Sequence, residues 1–375
     1  MSKTRNVTRW RNDAREQLVA AREFVSKTET DALVAVGVGI LGLLGAFVGF
    51  VLTSPYTSVA VGVFLVSVTY GWVRHQELTA RWVTLAMTVS TSLILALILV
   101  FIVLEAWPAL EYESAKVFGI SVPGLRMFTN PEWSPASEPN RFSMLPMIHG
   151  TILVTIIATL VAGPLGVAAA LFLSEIAPPV VREFVKPGVE ILAGIPSIVY
   201  GFLGFAVLSP WVSDQFDIVG QGTYLFVGIV VGLMSLPTVV SVAEDAINSV
   251  PESMKSGSLA MGTTDWQTMT AITIPAAFSG VSAAVLLGVG RAIGETMAAT
   301  VMLRNQPDIA EPLYNVFYGF ETLTSVIANK YGSAIGIQHH SLFVAGIILF
   351  VSVLLLSIGS QMIEAHMHKK LGGNE

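Results

Sequence analysis

The sequence predicts an all-α polytopic membrane protein, and three observations carry that expectation. Hydrophobic residues make up 53% of the 375-residue chain and charged residues only 12%, with a mean hydropathy of +0.70. A soluble domain carries roughly twice that charged fraction. Charge-poor runs long enough to cross a ~30 Å hydrocarbon core as helices recur along the chain. The absence of cysteine excludes thiolate metal sites, disulfides and a cysteine nucleophile. A net charge of −6 leaves no basic footprint for nucleic acid.

Eight spans follow from the charge-poor runs, at 32–52, 57–73, 83–104, 147–173, 187–209, 223–243, 278–303 and 341–363. The first 31 residues are polar, and a full-length apolar run follows them, so the first span reads as a retained helix and not a cleaved signal. An even count puts both termini on one side. That side receives seven Lys/Arg from 1–31, together with Arg74, Arg81, Arg182, Lys186, Lys255, Lys369 and Lys370. The other side receives Lys116, Arg126, Arg141, Arg304 and Lys330. The positive-inside rule makes the first side cytoplasmic, and the protein a multi-pass component of the cell membrane. Two long outer loops result, 105–146 and 304–340, the first with turns and one short interfacial helix. A long inner segment, 244–277, also results.

That inner segment is too long for a simple connection and is mildly amphipathic, with Met254, Leu259 and Met261 among Lys255, Ser256 and Ser258. Pro251 suits a helix start. Gly262 suits the left-handed residue that ends one. A second short helix is expected from Asp265 to Ile272, ending at Pro275. The segment thus predicts a two-helix hairpin at the cytoplasmic face, carrying either a partner or only an interfacial role.

Within span 278–303, Gly290-Arg291-Ala292-Ile293-Gly294-Glu295 puts Arg291 about 13 residues in, near mid-depth at ~1.5 Å per residue. A charge at the bilayer centre costs about 2.5–3.5 kcal/mol even on the lenient scale, so it faces a bundle interior or an aqueous path. Glu295 is four residues on and is expected on the same helical face. The pair fits an anion path, since a guanidinium fork matches oxyanion geometry, with Glu295 holding Arg291 and keeping the anion releasable. It equally fits a buried structural ion pair. Gly290 and Gly294 would let a helix or substrate approach closely.

Four separated stretches carry a family resemblance. Ser256-Gly257-Ser258, three residues, Gly262, nine residues and then Ile272-Thr273-Ile274-Pro275 resembles the cytoplasmic EAA loop of ABC importer permeases. Its spacing is intact, but Ser256 stands in place of the acidic residue. Arg291 to Met297 resembles the R-A-[IL]-G-E-T-M run of phosphate-specific permeases, in the PstC-type form. The stretches Gly150–Glu175 and Glu190–Gly201 agree. The resemblance covers about 83–368. It implies a six-helix ABC importer permease core at 83–370; the charged segment and two-helix extension at 1–82 depart from that family and either anchor the chain in the membrane or dock a regulator or the binding protein. It also implies a non-catalytic subunit that translocates phosphate. Its partners would be a PstA-like second permease, an ATP-binding cassette ATPase dimer and an extracytoplasmic phosphate-binding protein.

Under that resemblance Arg291 and Glu295 are pathway candidates, and Ser256, Gly257, Ser258, Gly262 and Trp266 are the ATPase-coupling candidates. Pro196 and Ser197 mark either a path-lining stretch or a helix kink. No G-x-x-x-x-G-K-[ST] loop occurs, so ATP hydrolysis falls to a partner. No cofactor is expected. His149, His339 and His340 lie near the outer face without ligands at metal-site spacing. A permease for sulfate or molybdate, a secondary transporter and a polytopic enzyme remain as alternatives. An enzyme needs more His, Asp and Glu at one depth than this chain carries.

Overall fold

The computed structural model describes residues 29–216, 222–303 and 309–371. The basic residues predicted within 1–28, and Arg304, lie outside the described residues. Among the described residues, seven helices are long and apolar enough to cross a membrane, and a bent helix pair makes an eighth if counted as one span. The chain divides into two compact units, Met1–Val100 and Phe101–Glu375.

In the first unit, helices Thr30–Val51 and Thr57–Arg74 form an antiparallel hairpin. The turn between them is closed by Ser54 N–H to the Gly49 carbonyl at 2.8 Å and by Thr57 Oγ1 to the Ser54 carbonyl at 2.7 Å. Ser67 Oγ donates to the Ala35 carbonyl at 2.5 Å, and the Trp82 ring packs edge-on to Phe64. Only 11% of each apolar stretch is buried, as suits helices whose outer face meets lipid.

The second unit is organised around helix Tyr224–Asn248, 61% of whose apolar stretch is buried. It lies against helix Leu145–Leu171, which continues through a π-turn to Ile176. Without a hydrophobic drive between helices in lipid, close backbone approach supplies the association. Gly228 and Gly232 permit it here. A Cβ on Gly228 would stand 2.5 Å from Ile157 Cβ, and one on Gly232 would stand 3.0 Å from the Ala158 carbonyl oxygen. The free N–H groups at the start of the central helix find partners in a returning loop. Tyr224 N–H donates to the Tyr318 carbonyl at 2.8 Å, and Leu225 N–H donates to that of Val316 at 3.0 Å.

The region expected to hold turns and one short helix contains helix Leu125–Thr129 and, beyond that expectation, two small antiparallel hairpins. Ala115–Val117 pairs with Ile120–Val122, and Trp133–Ser134 pairs with Arg141–Phe142. Trp133, Phe142, Met127 and Met144 from this region pack with Leu323, Val326 and Leu342.

Three expectations need correction. The span placed at 187–209 is not straight: helix Pro179–Gly194 and the run Ser197–Trp211 meet at 91°. The break lies at Ile195-Pro196, both extended at ψ 127° and 137°. Proline disfavours helical backbone at the preceding residue, which accounts for a full break in place of a kink. The span at 278–303 is also interrupted, because helix Ile274–Gly294 ends at Gly294 and Met297–Met302 is separate. Finally, the second inner helix does not stop at Pro275. Asp265 to Gly294 is one 30-residue helical run, with Pro275 in the first turn of its Ile274–Gly294 segment.

Candidate functional site

Two places gather the residues singled out by the sequence. At the first, Arg291 occupies the last turn of helix Ile274–Gly294 and is exposed. It lines a cavity of about 560 Å³ with Gly290, Thr238 of the central helix, and Ser357, Ser360 and Gln361 of helix Ile337–Leu371. The Tyr200 hydroxyl, about one turn past the 91° break, donates to the Leu192 carbonyl at 3.0 Å. The cavity itself is mostly apolar, lined also by Leu286, Leu287, Val353 and Leu356, with Thr238, Ser357, Ser360 and Gln361 as its uncharged polar side chains. No ion pair to Arg291 occurs among the described residues.

Glu295 does not share its helical face. The chain is extended at Glu295, at φ −67° and ψ 122°, so the four-residue spacing loses its helical meaning. Its carboxylate turns forward and accepts the Ala298 N–H at 3.1 Å, capping the short helix Met297–Met302. Thr324 Oγ1 donates to the Glu295 carbonyl at 2.8 Å, and Thr296 Oγ1 donates to that of Gly294 at 3.1 Å. Glu295 thus fixes the helix break and leaves Arg291 unneutralised. No heavy atom of the chain outside their own helix lies within 4 Å of a Cβ placed on Gly290 or Gly294, so neither glycine is packed against a neighbouring helix.

At the second place, helix Glu252–Ala260 follows Pro251, and Gly262 adopts φ +86° as expected of a left-handed turn residue. The next helix starts with a capping box: Thr264 accepts from Gln267 N–H, and the Gln267 side chain accepts from Thr264 N–H. Such a cap contributes about 1 kcal/mol. Ser256, Gly257, Gly262 and Trp266 are exposed. Ser258 is half-buried, bonded to Thr263 and Thr268 hydroxyls at 2.9 and 3.0 Å, so it ties the hairpin together. Met261 is 86% and Trp266 67% exposed, which leaves both side chains accessible to a partner.

Two ion pairs hold this hairpin's surroundings, and sequence reading missed both. Lys255 Nζ lies 2.6 Å from Glu175 at the π-turn, and Lys186 Nζ lies 3.2 Å from Glu244 on the central helix. Their separations of 80 and 58 residues leave no local signal. Elsewhere His149 is engaged through Nε2 with the Leu313 carbonyl at 2.7 Å. His339 and His340, which spacing left without companions, meet Glu105. Glu321 is fully buried with Oε1 accepting from Asn329 at 3.2 Å; burial pushes its carboxyl above the ordinary value, against the opposing pull of Lys330 and that hydrogen bond.

Comparison with known proteins adds four findings. Residues 162–369 match the family described as binding-protein-dependent transport system inner membrane component. A probable ABC transporter permease protein, YqgH, of Bacillus subtilis is 38% identical over 64% of this chain and 76% of its own length. The phosphate transport system permease protein PstC of Mesorhizobium japonicum is 33% identical over 74% of this chain and 88% of its own. Among solved structures, a bacterial alginate ABC transporter in complex with a periplasmic protein bound to alginate pentasaccharide contains a chain that superposes with a TM-score of 0.54. The match covers 80% of this chain and 97% of that one at 16% identity, a likeness of fold alone.

Proposed function

The chain belongs to the family of binding-protein-dependent transport system inner membrane components, as an ABC transporter permease subunit, and from that premise we propose that it carries inorganic phosphate across the cell membrane in an ATP-driven importer. The observation that carries the substrate reading is Arg291, exposed in a cavity whose other polar side chains are uncharged and without a carboxylate partner. A permanently charged fork attracts an oxyanion, while the neutral groups accept or donate without adding tight binding. Two relatives named as phosphate transport system permease proteins are 33% and 30% identical over 74% and 79% of this chain.

In this reading a PstA-like second permease completes the path along the Gly290–Gly294 face. An extracytoplasmic phosphate-binding protein delivers the substrate, and both termini are cytoplasmic. The ATPase dimer docks on the hairpin 250–275 through Trp266, Met261 and the exposed backbone at Ser256, Gly257 and Gly262. Closure of that dimer pushes the hairpin. Because Asp265–Gly294 is one helical run, the push reaches Arg291 along a rigid element. Lys255–Glu175 carries the same displacement into helix Leu145–Leu171. The two access states must differ in such contacts for nucleotide to shift them. Glu295 is a positioning residue, holding the break that ends the run.

The test is ATP-driven uptake of labelled phosphate into vesicles bearing the full complex, with excess sulfate or molybdate as competitor. Uptake that resists both competitors is the expected result. An assembled complex that hydrolyses ATP yet moves no phosphate would overturn the substrate assignment.

A further inference from the structure

We propose that Glu105, His339 and His340 form a binding site for a divalent transition-metal ion of the zinc class, clipping the end of helix Gln76–Tyr112 to the start of helix Ile337–Leu371. The proposal stands apart from the anion path. The three residues offer ligand atoms that all lie within 4.8 Å of one another, and all three are half-buried. With metal–nitrogen distances of ~2.0–2.1 Å in a tetrahedral site, ligand atoms stand about 3.3 Å apart. Side-chain adjustments of roughly an ångström therefore close the site.

Among the described residues, each imidazole keeps a ring nitrogen that no hydrogen bond or ion pair engages. His340 Nδ1 lies 2.7 Å from the Glu105 carbonyl oxygen. A carbonyl only accepts, so Nδ1 carries the proton and Nε2 keeps its lone pair. A ligating imidazole commonly donates its other N–H in this way. His339 is held by rings: Tyr331 at 5.3 Å, Phe343 at 5.2 Å, and His340 edge-on at 5.9 Å between centroids. Neither of its ring nitrogens has a hydrogen-bond partner among the described residues. Glu105 Oε2 lies 3.4 Å from His340 Nδ1, on the protonated side of the ring, so the carboxylate reaches a metal held at Nε2 only by that side-chain adjustment.

The second His-containing acidic cluster, Glu29, Asp31 and His75, lacks these features. His75 spends Nε2 on Asp31 at 3.1 Å and sets Nδ1 3.8 Å from Glu29, so both nitrogens face carboxylates. That cluster is an ion-pair network.

Two nitrogens and one oxygen suit zinc, cobalt or nickel; calcium and magnesium require all-oxygen sets. Three protein ligands leave a fourth position for water.

The probe is Zn²⁺ itself, titrated into the chelator-stripped full-length chain in detergent against a chromophoric chelator. One equivalent per chain is expected, weakened at least about 10–100-fold by His339→Gln and by the near-isosteric Glu105→Gln, and unchanged by His75→Gln. Equimolar Ca²⁺ should not displace it. Co²⁺ should give visible bands of a four-coordinate ion in the wild type and lose them in Glu105→Gln, which decides the matter if His339→Gln fails to fold. Absence of a zinc equivalent in the wild type overturns the site, as does retention in Glu105→Gln or loss in His75→Gln.

Discussion

Two stretches of this chain share one spacing and use it in opposite ways. Gly228 and Gly232 sit four residues apart on helix Tyr224–Asn248, and Gly290 and Gly294 sit four apart on helix Ile274–Gly294. The first pair is pressed against helix Leu145–Leu171, while the second has nothing of the chain beyond its own helix within 4 Å. Burial follows the same division, 61% against 22% of the two apolar stretches. A glycine pair thus permits close approach without saying what approaches. One pair builds the frame, and the other has no helix packed against it.

The comparison breaks most severely if Gly232 is enlarged. Gly232→Leu forces a side chain into the Ala158 carbonyl and Val161, where overpacking costs about 1–3 kcal/mol or more. Loss of folded chain, seen as aggregation on size exclusion in detergent, is the expected outcome. Gly290→Leu is the counterpart: the isolated subunit should melt within about 0.5 kcal/mol of wild type, while assembly with the second permease is impaired. Equal damage from both would erase the distinction between the two faces.

Trp266→Ala comes next. A large exposed aromatic at a docking surface is the kind of residue that contributes 2 kcal/mol or more to an interface. ATPase subunits should therefore co-purify with about tenfold or more weaker affinity, with the permease's own melting unchanged. Unaltered capture of the ATPase would remove the hairpin from the coupling role.

Glu321→Gln should give the smallest effect, and a pH-dependent one. Burial holds the Glu321 carboxyl above its ordinary value, so the folded chain binds that proton more tightly than the unfolded chain. The contribution is fully present below the unfolded carboxylate value of about 4.3 and is lost as pH rises through the raised folded value. The variant should flatten that part of the thermal-stability profile. A wild-type profile already flat across the window would contradict this.

Composition made the membrane class and most spans readable, because burial in lipid imposes length and apolarity directly. The runs at 32–52, 57–73 and 223–243 became Thr30–Val51, Thr57–Arg74 and Tyr224–Asn248. Gly262 and Pro251 also read correctly, since backbone geometry restricts those positions to few residue types. The breaks at Pro196 and Gly294 were not visible as breaks. Each lies within a charge-poor run long enough to span the membrane, and hydropathy is indifferent to chain direction. The Glu295 cap was hidden for the same reason: four-residue spacing implies a shared face only while the helix lasts. Lys255–Glu175 and Glu105–His339–His340 depend on contacts between distant segments, which no spacing rule reaches.

The central claim is that Arg291 serves the anion and not the fold, and one measurement addresses it. ATP-driven phosphate uptake would be compared between wild-type and Arg291→Ala complexes of equal assembly and ATPase binding. The account predicts that uptake falls on the order of 100-fold, as expected when a charge-assisted contact of about 3 kcal/mol is lost, while ATPase subunits still bind. Uptake at the wild-type rate in that variant would contradict it and leave Arg291 a residue of the helix end alone.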